Sequence, residues 1–308
     1  MHLFISCVQL HSIYNMDKPI LLLKAELTKP ISQAIERIER IWQRKENSDD
    51  SIILEGLFAL AVSSFENSIL DTLRILLSSI PDKLDVKTEN ISKKELIDGS
   101  PLNQAIENKV ASIGYKSLQD VIAFFTNTAG LSRNSITDNE LNELLEIKAT
   151  RNLLIHNNLI ENDFYRQTAG PNRRSTSYDK KLSIDKEYLH KSLAAVRGVL
   201  QIFITELSEK YVEYTKVRAV KELFKYIFKT PVMVFENEFE IDETKDVISF
   251  RKESSRKESL SSSERFFYDV WISHTHGDRF EFKPGQFFSI SDKDKFSFFI
   301  KNIDLLKT

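Results

Sequence analysis

The stretch that decides the fold is Thr137–Asn158, TDNELNELLEIKATRNLLIHNN. Thr137 and Glu140 form a T-x-x-E capping box. Leu141, Leu144, Leu145 and Ala149 then recur at helical spacing up to the Asn157-Asn158 pair, which predicts a helix of about twenty residues. Asn152 and His156, four apart, share one face of the helix end, and Arg151 sits on an adjacent face. A cation, an amide and an imidazole are thereby presented together beside a polar loop. The trio suits phosphoryl chemistry, because a guanidinium grips a phosphate with two hydrogen bonds and an imidazole moves a proton near neutral pH.

Upstream, the segment from Ile52 to Leu77 is apolar on nearly every side, with Leu57, Phe58, Leu60, Val62, Phe65, Ile69, Leu73 and Leu76, the pattern of a central helix surrounded by others. Its polar exceptions, Glu55 and Glu66, share a face with Ala59 and Val62. A carboxylate among apolar neighbours calls for a partner. Glu66 either orients Arg151 or His156 or faces water at the helix boundary, and with no spacing to connect the two helices the second is the simpler expectation. Before this segment, Thr28 and Pro30 read as helix-start residues, and Ile31, Ile35, Ile38 and Trp42 trace one face up to the polar break KENSDD. After it, Pro81 stops the helix and DKLDVKTENISKKELIDGS reads as a polar connector with a short helical piece. Two packing helices follow, Leu102 to Ser112 and Leu118 to Asn127, ended by Gly114 and Gly130.

Downstream of His156 the chain reads as a loop. There Arg166, Arg173 and Arg174, interleaved with Tyr165 and Tyr178, either guide a phosphate backbone and stack a base or form an ordinary solvated surface. Ser183 or Asp185 caps the next helix, in which Leu189, Leu193, Val196, Leu200, Phe203 and Leu207 keep a 4-3-4-3-4 spacing. That regularity marks a seam that closes a bundle or forms a dimer. The expected architecture is mainly α, an antiparallel helical bundle.

From Lys216 the pattern changes. ELFKYIF continues helical, and Phe235, Asn237, Phe239 and Ile241 alternate with Glu236, Glu238 and Glu240 as in a strand. RKESSRKES, a duplicated polar piece from Arg251 to Ser259, reads as a loop. Ser261 with Glu264 makes a second capping box, opening a helix with Phe267, Val270 and Trp271. Phe280 and Phe282, Pro284-Gly285, and the run Phe287 to Ile290 suggest a hairpin, and Ser291 starts a last helix with Phe296, Phe299, Ile300 and Ile303 on one side. The division expected is an N-terminal extension (1–20), a helical bundle (21–215) and a small mixed α/β C-terminal appendage (216–308).

The chain of 308 residues with 41% hydrophobic residues can furnish a real core. A net charge of −2 carries no overall basic signal, so nucleic-acid binding would need a local patch. One cysteine, Cys7, forms no internal disulfide, which fits a reducing cytoplasm and excludes a Cys-based zinc site. No apolar run reads as long enough to span a bilayer, and a cytoplasmic location is expected. Met1 to Asn15 is mildly apolar without the basic start of a signal peptide; Met16 is an alternative natural start. His274 and His276 alternate in SHTHGD without a third ligand, which reads as a polar turn at a helix end rather than a metal site.

At Arg151, Asn152 and His156 the sequence resembles the R-x4-6-H signature, with a polar residue after the Arg, of the HEPN superfamily of helical-bundle ribonucleases. The likeness extends to the EGLFALAVSSFENSIL helix upstream and to SIDKEYL, which opens the closing helix, and covers about residues 20–215, within the usual size of a domain. The resemblance implies metal-independent RNA cleavage by attack of the ribose 2′-hydroxyl on the adjacent phosphate, leaving a 2′,3′-cyclic phosphate and a 5′-hydroxyl. His156 would act as general acid or base, Arg151 would stabilise the phosphorane, and Asn152 would hold His156 or the phosphate, with Glu66 and Asn157 in support. Tyr165, Arg166, Arg173 and Arg174 would contact RNA. No cofactor is implied. The family pairs two bundles about a two-fold axis, so a homodimer is expected, as is a toxin or anti-phage (abortive-infection) role with an antitoxin or a sensor or ATPase partner. Toxin relatives that work beside a nucleotidyltransferase carry a Tyr two residues after the His; this chain has Asn158 there. The alternative is a non-catalytic HEPN-like module that binds RNA, nucleotides or protein, with the bundle as a scaffold. The bland reading of the motif itself is that Arg151 pairs with a neighbouring acid such as Glu146 or Glu161 and His156 merely favours the negative helix C-terminus.

Overall fold

Burial of Leu27 together with Ile31, Ala34, Ile38 and Ile41, at 4-3-4-3 spacing, sets where the first helix begins. A computed structural model of the chain describes residues 18–45, 50–84, 101–132, 134–174, 180–228, 239–250, 260–275 and 290–306. Helix α1 spans Lys24–Lys45, so Thr28 and Pro30 lie inside it rather than at its start. The Thr28 hydroxyl donates back to the Lys24 carbonyl at 3.0 Å instead of capping. The cost of an interior proline is outweighed by burying the extra apolar turn that carries Leu27.

The chain divides into two units, Lys24–Val212 and Met1–Leu23 with Glu213–Thr308. Residues 18–23 group with the C-terminal unit, where Leu21 packs against that unit's apolar cluster.

In the first unit, α2 (Ser51–Ser79) starts where the Asp50 carboxylate accepts from the Ile52 N–H at 2.9 Å. It packs against α1, α3 (Pro101–Gly114), α4 (Leu118–Ala129), α5 (Asp138–Asn157) and α7 (Lys186–Lys210), which is why it is apolar all round. By length and composition α2 could cross a membrane, a property not read from the bare sequence. Ser64, Ser68 and Thr72 are buried with their hydroxyls bonded to carbonyls of the same helix, so they carry no unmet polar group into the core. Pro81 follows the helix end in a 3₁₀ turn, and the connector expected after it lies largely outside the described residues.

Paired contacts give the helix directions. Trp42 meets His190 at 4.1 Å between ring centroids and Glu39 meets Arg197 at 3.1 Å, so α1 and α7 run antiparallel. Arg74 meets Glu107 while Leu70 lies beside Gly114, so α2 and α3 also run antiparallel. Asp185 caps α7, and its six-residue apolar seam is buried within the one chain. The seam therefore closes the bundle; the dimer-forming reading of the same residues is corrected, since all six are buried inside the one chain.

In the second unit α8 (Lys216–Ile227) is capped by Thr215, and the Asp246 carboxylate also accepts from the Lys216 and Val217 N–H groups at 2.7 and 2.9 Å. Strands β1 (Phe239–Asp242) and β2 (Val247–Phe250) form an antiparallel pair with Phe239 opposite Phe250. β1 lies within the expected alternating stretch, whose residues 235–238 fall outside the described residues; β2 was not anticipated. α9 (Ser262–Thr275) opens with the expected capping box, and its Trp271 stacks on Phe239 and meets Phe224 edge-on. α10 (Ile290–Asn302) buries Phe299 but leaves Ile300 42% exposed, which corrects its place in the apolar face. Ile290 begins this helix, while the rest of the expected hairpin, the RKESSRKES loop, His276, Cys7 and the Met1–Met16 segment lie outside the described residues. The described chain is thus mainly helical with a two-stranded antiparallel sheet near its C-terminus.

Candidate functional site

Helix α5 is built as its sequence implies. The Thr137 hydroxyl accepts from the Glu140 N–H and the Glu140 carboxylate accepts from the Thr137 N–H at 2.8 Å, a reciprocal box that pins the N-terminus. At the other end Asn158 (φ 48°) and Leu159 (φ 63°) are both left-handed. A buried leucine in that conformation is strained, and three surrounding bonds hold it: its N–H reaches the Leu153 carbonyl, its carbonyl accepts from the Leu182 N–H, and the Glu161 N–H reaches the Lys180 carbonyl, the last two forming the Ile160–Lys181 bridge. The Asn157 amide donates to the Ile160 carbonyl at 2.5 Å. Asn157 thus braces the turn that ends the motif helix.

Two residues three apart on α2 face two residues three apart on α5. Glu66 lies 2.6 Å from the Lys148 ammonium and 3.6 Å from Arg151 Nη2, and Ser63 Oγ lies 3.4 Å from the same guanidinium nitrogen. Glu66 does not face water without a partner; the simpler expectation for it is corrected, because packing of α5 on α2 brings two cations to it. The 2.6 Å contact belongs to Lys148, whereas 3.6 Å is too long for a hydrogen bond. Arg151 has one short bond, from Nη1 to Asn152 Oδ1 at 3.1 Å, so most of its five N–H donors stay uncommitted to short bonds.

Glu66, Lys148 and Arg151 line a cleft of about 790 Å³ together with the α3–α4 turn and the start of α4, Tyr115 to Gln119, and with Phe164, Gln167 and Thr168. Its charged lining residues are Lys116, Lys148, Arg151 and Glu66, three cations to one carboxylate. A smaller hollow of about 310 Å³ is lined by His156, Asn157 and Asn162. Ala149, Asn152 and Phe164 border both spaces. Within one chain, then, Arg151 and His156 open into adjacent hollows, with Asn152 and the 60% exposed Phe164 between them. His156 is exposed and has no hydrogen-bond or ion-pair partner among the described residues.

The stretch after His156 is not a plain loop: it forms α6 (Asp163–Thr168) and a 3₁₀ turn at Gly170–Asn172. Tyr165 is 1% exposed, which corrects its expected role as a base-stacking residue. Its hydroxyl donates to Glu146 at 3.0 Å and accepts from the Arg174 N–H. Glu146, 4% exposed, also accepts from Thr150 at 2.6 Å and from Tyr188 at 2.8 Å. Burial, reinforced by the Glu146 charge and opposed by the Arg174 N–H, pushes Tyr165 up to about 12. Burial and the same carboxylate raise Tyr188 well above the usual tyrosine range. Arg166 is an ion-pair partner of the buried Glu161 at 3.1 Å, and the Arg174 guanidinium lies 3.6 Å over the Tyr188 ring and donates to the Ser183 carbonyl. Both are structural, which corrects their expected RNA contacts. Arg173 is exposed, and Tyr178 lies outside the described residues.

Neither Glu146 nor Glu161 pairs with Arg151. The three hydroxyl donors hold Glu146 and Arg166 holds Glu161; the acid that does pair with Arg151 is Glu66, on another helix, at 3.6 Å. Lys148 was missed, although its i,i+3 spacing from Arg151 was visible. Ser63 and the α3–α4 turn carry no local signal. His274 meets Asp304 at 3.2 Å, and no group of three metal-ligating side chains occurs among the described residues. No family model, curated protein or solved structure matches the chain.

Proposed function

We propose that the α5 site is a metal-independent endoribonuclease centre of the HEPN type, acting in a homodimer as a toxin or anti-phage effector. The observation that carries the reading is the placement of Arg151: its guanidinium borders an open, net-cationic cleft while only one of its contacts is short. A phosphate entering there meets Arg151 and Lys148 together, and charge-assisted bonds to a developing phosphorane are the largest single contribution such a site can make. The ribose 2′-oxygen bonds to phosphorus as the phosphorus–5′-oxygen bond breaks; one base takes the 2′ proton and one acid protonates the leaving oxygen. His156 fills one of these roles, and a second copy of the chain supplies the other, since one imidazole beside one guanidinium is sparse for both transfers.

Pure protein incubated with total RNA in EDTA tests this directly. Cutting to 2′,3′-cyclic phosphate and 5′-hydroxyl ends, reduced about 10²–10⁴-fold by His156→Ala, is the expected result. Uncut RNA, or cutting indifferent to both His156→Ala and Arg151→Ala, refutes it.

One observation favours a second reading, a non-catalytic RNA- or nucleotide-binding scaffold: within a single chain Arg151 and His156 border different hollows. Expression separates the two. The nuclease is poorly tolerated by cells and its His156→Ala form is harmless, whereas a scaffold is tolerated equally in both forms.

A further inference from the structure

Helix α1 carries Gln33, Arg37, Arg40 and Arg44 at 4-3-4 spacing along one exposed face. With Glu36 of α1 and Leu57 and Leu60 of α2 they line a groove of about 490 Å³. None of the three arginines has a hydrogen bond, ion pair or ring contact among the described residues. The neighbouring acid Glu39 is already paired with Arg197, so Glu36 alone offsets them in the groove. Three like charges within about 10 Å of helix axis are held against mutual repulsion, with Glu36 the one carboxylate among the described residues lining the groove to offset them.

The groove and the Arg151 cleft are joined by one face of α2. Leu60 lines the groove, Ser63 touches Arg151, and Asn67 lines the cleft, at spacings of three and four. We infer that the α1–α2 groove is a docking track for the backbone of single-stranded RNA, leading its phosphates to the cleft where Arg151 stands. This rests on the reading of that cleft as a site acting on RNA. Arginines would take successive phosphates while Leu57 and Leu60 offer an apolar floor for a base. A second copy of the same face fits poorly, because a two-fold contact would set these arginines against each other.

The test is binding of a labelled 2′-O-methyl oligouridine, which lacks the attacking hydroxyl and stays intact, measured in EDTA from 50 to 200 mM salt. Three phosphate contacts contribute a salt slope of about −2, or about 20-fold in affinity over that range. Replacing all three residues, Arg37→Gln, Arg40→Gln and Arg44→Gln, removes this slope, while the three Arg→Lys replacements keep it. If the triple Gln protein melts early, Arg40→Gln alone lowers the slope by about 0.7. An unchanged slope overturns the track, as does absence of binding at 50 mM, and so does a polyglutamate chain that binds equally well through the same arginines, which assigns the groove to an acidic protein. The nuclease reading fails separately: loss of slope with no cutting of unmodified RNA leaves the track standing, and cutting with an unchanged slope leaves only the cleft.

Discussion

Replacing Glu146 by alanine is the most informative perturbation of the motif helix. The carboxylate is buried and accepts from three hydroxyls, Thr150, Tyr165 and Tyr188. Without it Thr150 can turn its hydroxyl to the carbonyl one helical turn back. The two tyrosine hydroxyls have no such recourse and are left buried without an acceptor, at about 1–3 kcal/mol each. Against this stands relief of the desolvation of a carboxylate that has no cation partner within hydrogen-bond distance among the described residues. The loss of satisfied hydroxyls wins, because those three bonds already offset the desolvation, and the net expected cost is about 2–4 kcal/mol. Glu146→Gln is the control. It keeps the Oε1 acceptor that serves Thr150 and Tyr165 and lets Tyr188 accept instead of donate, so it costs about 1 kcal/mol. Urea unfolding followed by helical circular dichroism reads both values from the midpoint shift at constant slope. If alanine costs under about 1 kcal/mol, or the two variants are equally destabilised, the hydroxyl cage does not hold α5 and the reasoning fails.

Three further outcomes follow from the same contacts. Tyr165 and Tyr188 have raised folded-state values, so their contribution is complete below about pH 10 and is lost as pH rises through those values. Stability should fall above about pH 10, and Tyr188→Phe should flatten the decline; tyrosinate absorbance from every tyrosine before unfolding contradicts this. Glu66→Gln should cost about 1–3 kcal/mol, because the largely buried Lys148 ammonium keeps only a neutral acceptor, and should lower cutting roughly tenfold in kcat with KM little changed, because Arg151 loses its bracing carboxylate; unaltered kcat would show that Glu66 serves Lys148 alone. Thr137→Ala removes one half of the α5 capping box and should cost about 1 kcal/mol in the same urea assay, with a cost near zero showing that α5 needs no cap.

Local rules made α5 legible to the residue: the box at Thr137 and Glu140, the apolar spacing and the Asn-Asn stop all act within a few residues of one another. The same holds for the 4-3-4-3-4 seam of α7 and the second box at Ser261. Where two rules competed, burial decided. Pro30 signalled a helix start, but Leu27 extended the same buried face past it. The stretch after His156 looked like a polar loop because Tyr165, Arg166 and Arg174 are polar by composition, while their partners, Glu146, Glu161 and Tyr188, are brought in by other elements.

By itself the sequence determined the mainly helical character of the chain, the limits of the motif helix and the presence of Arg151, Asn152 and His156 at one end of it, because helix periodicity and capping depend on near neighbours. Only the tertiary structure decided that Glu66 meets Lys148 and Arg151, that Tyr165 is buried beneath the site, and that Arg151 and His156 open into neighbouring hollows. Those facts depend on how α2, α5, α6 and α7 pack, and no spacing within one helix encodes which residue of another will lie opposite it.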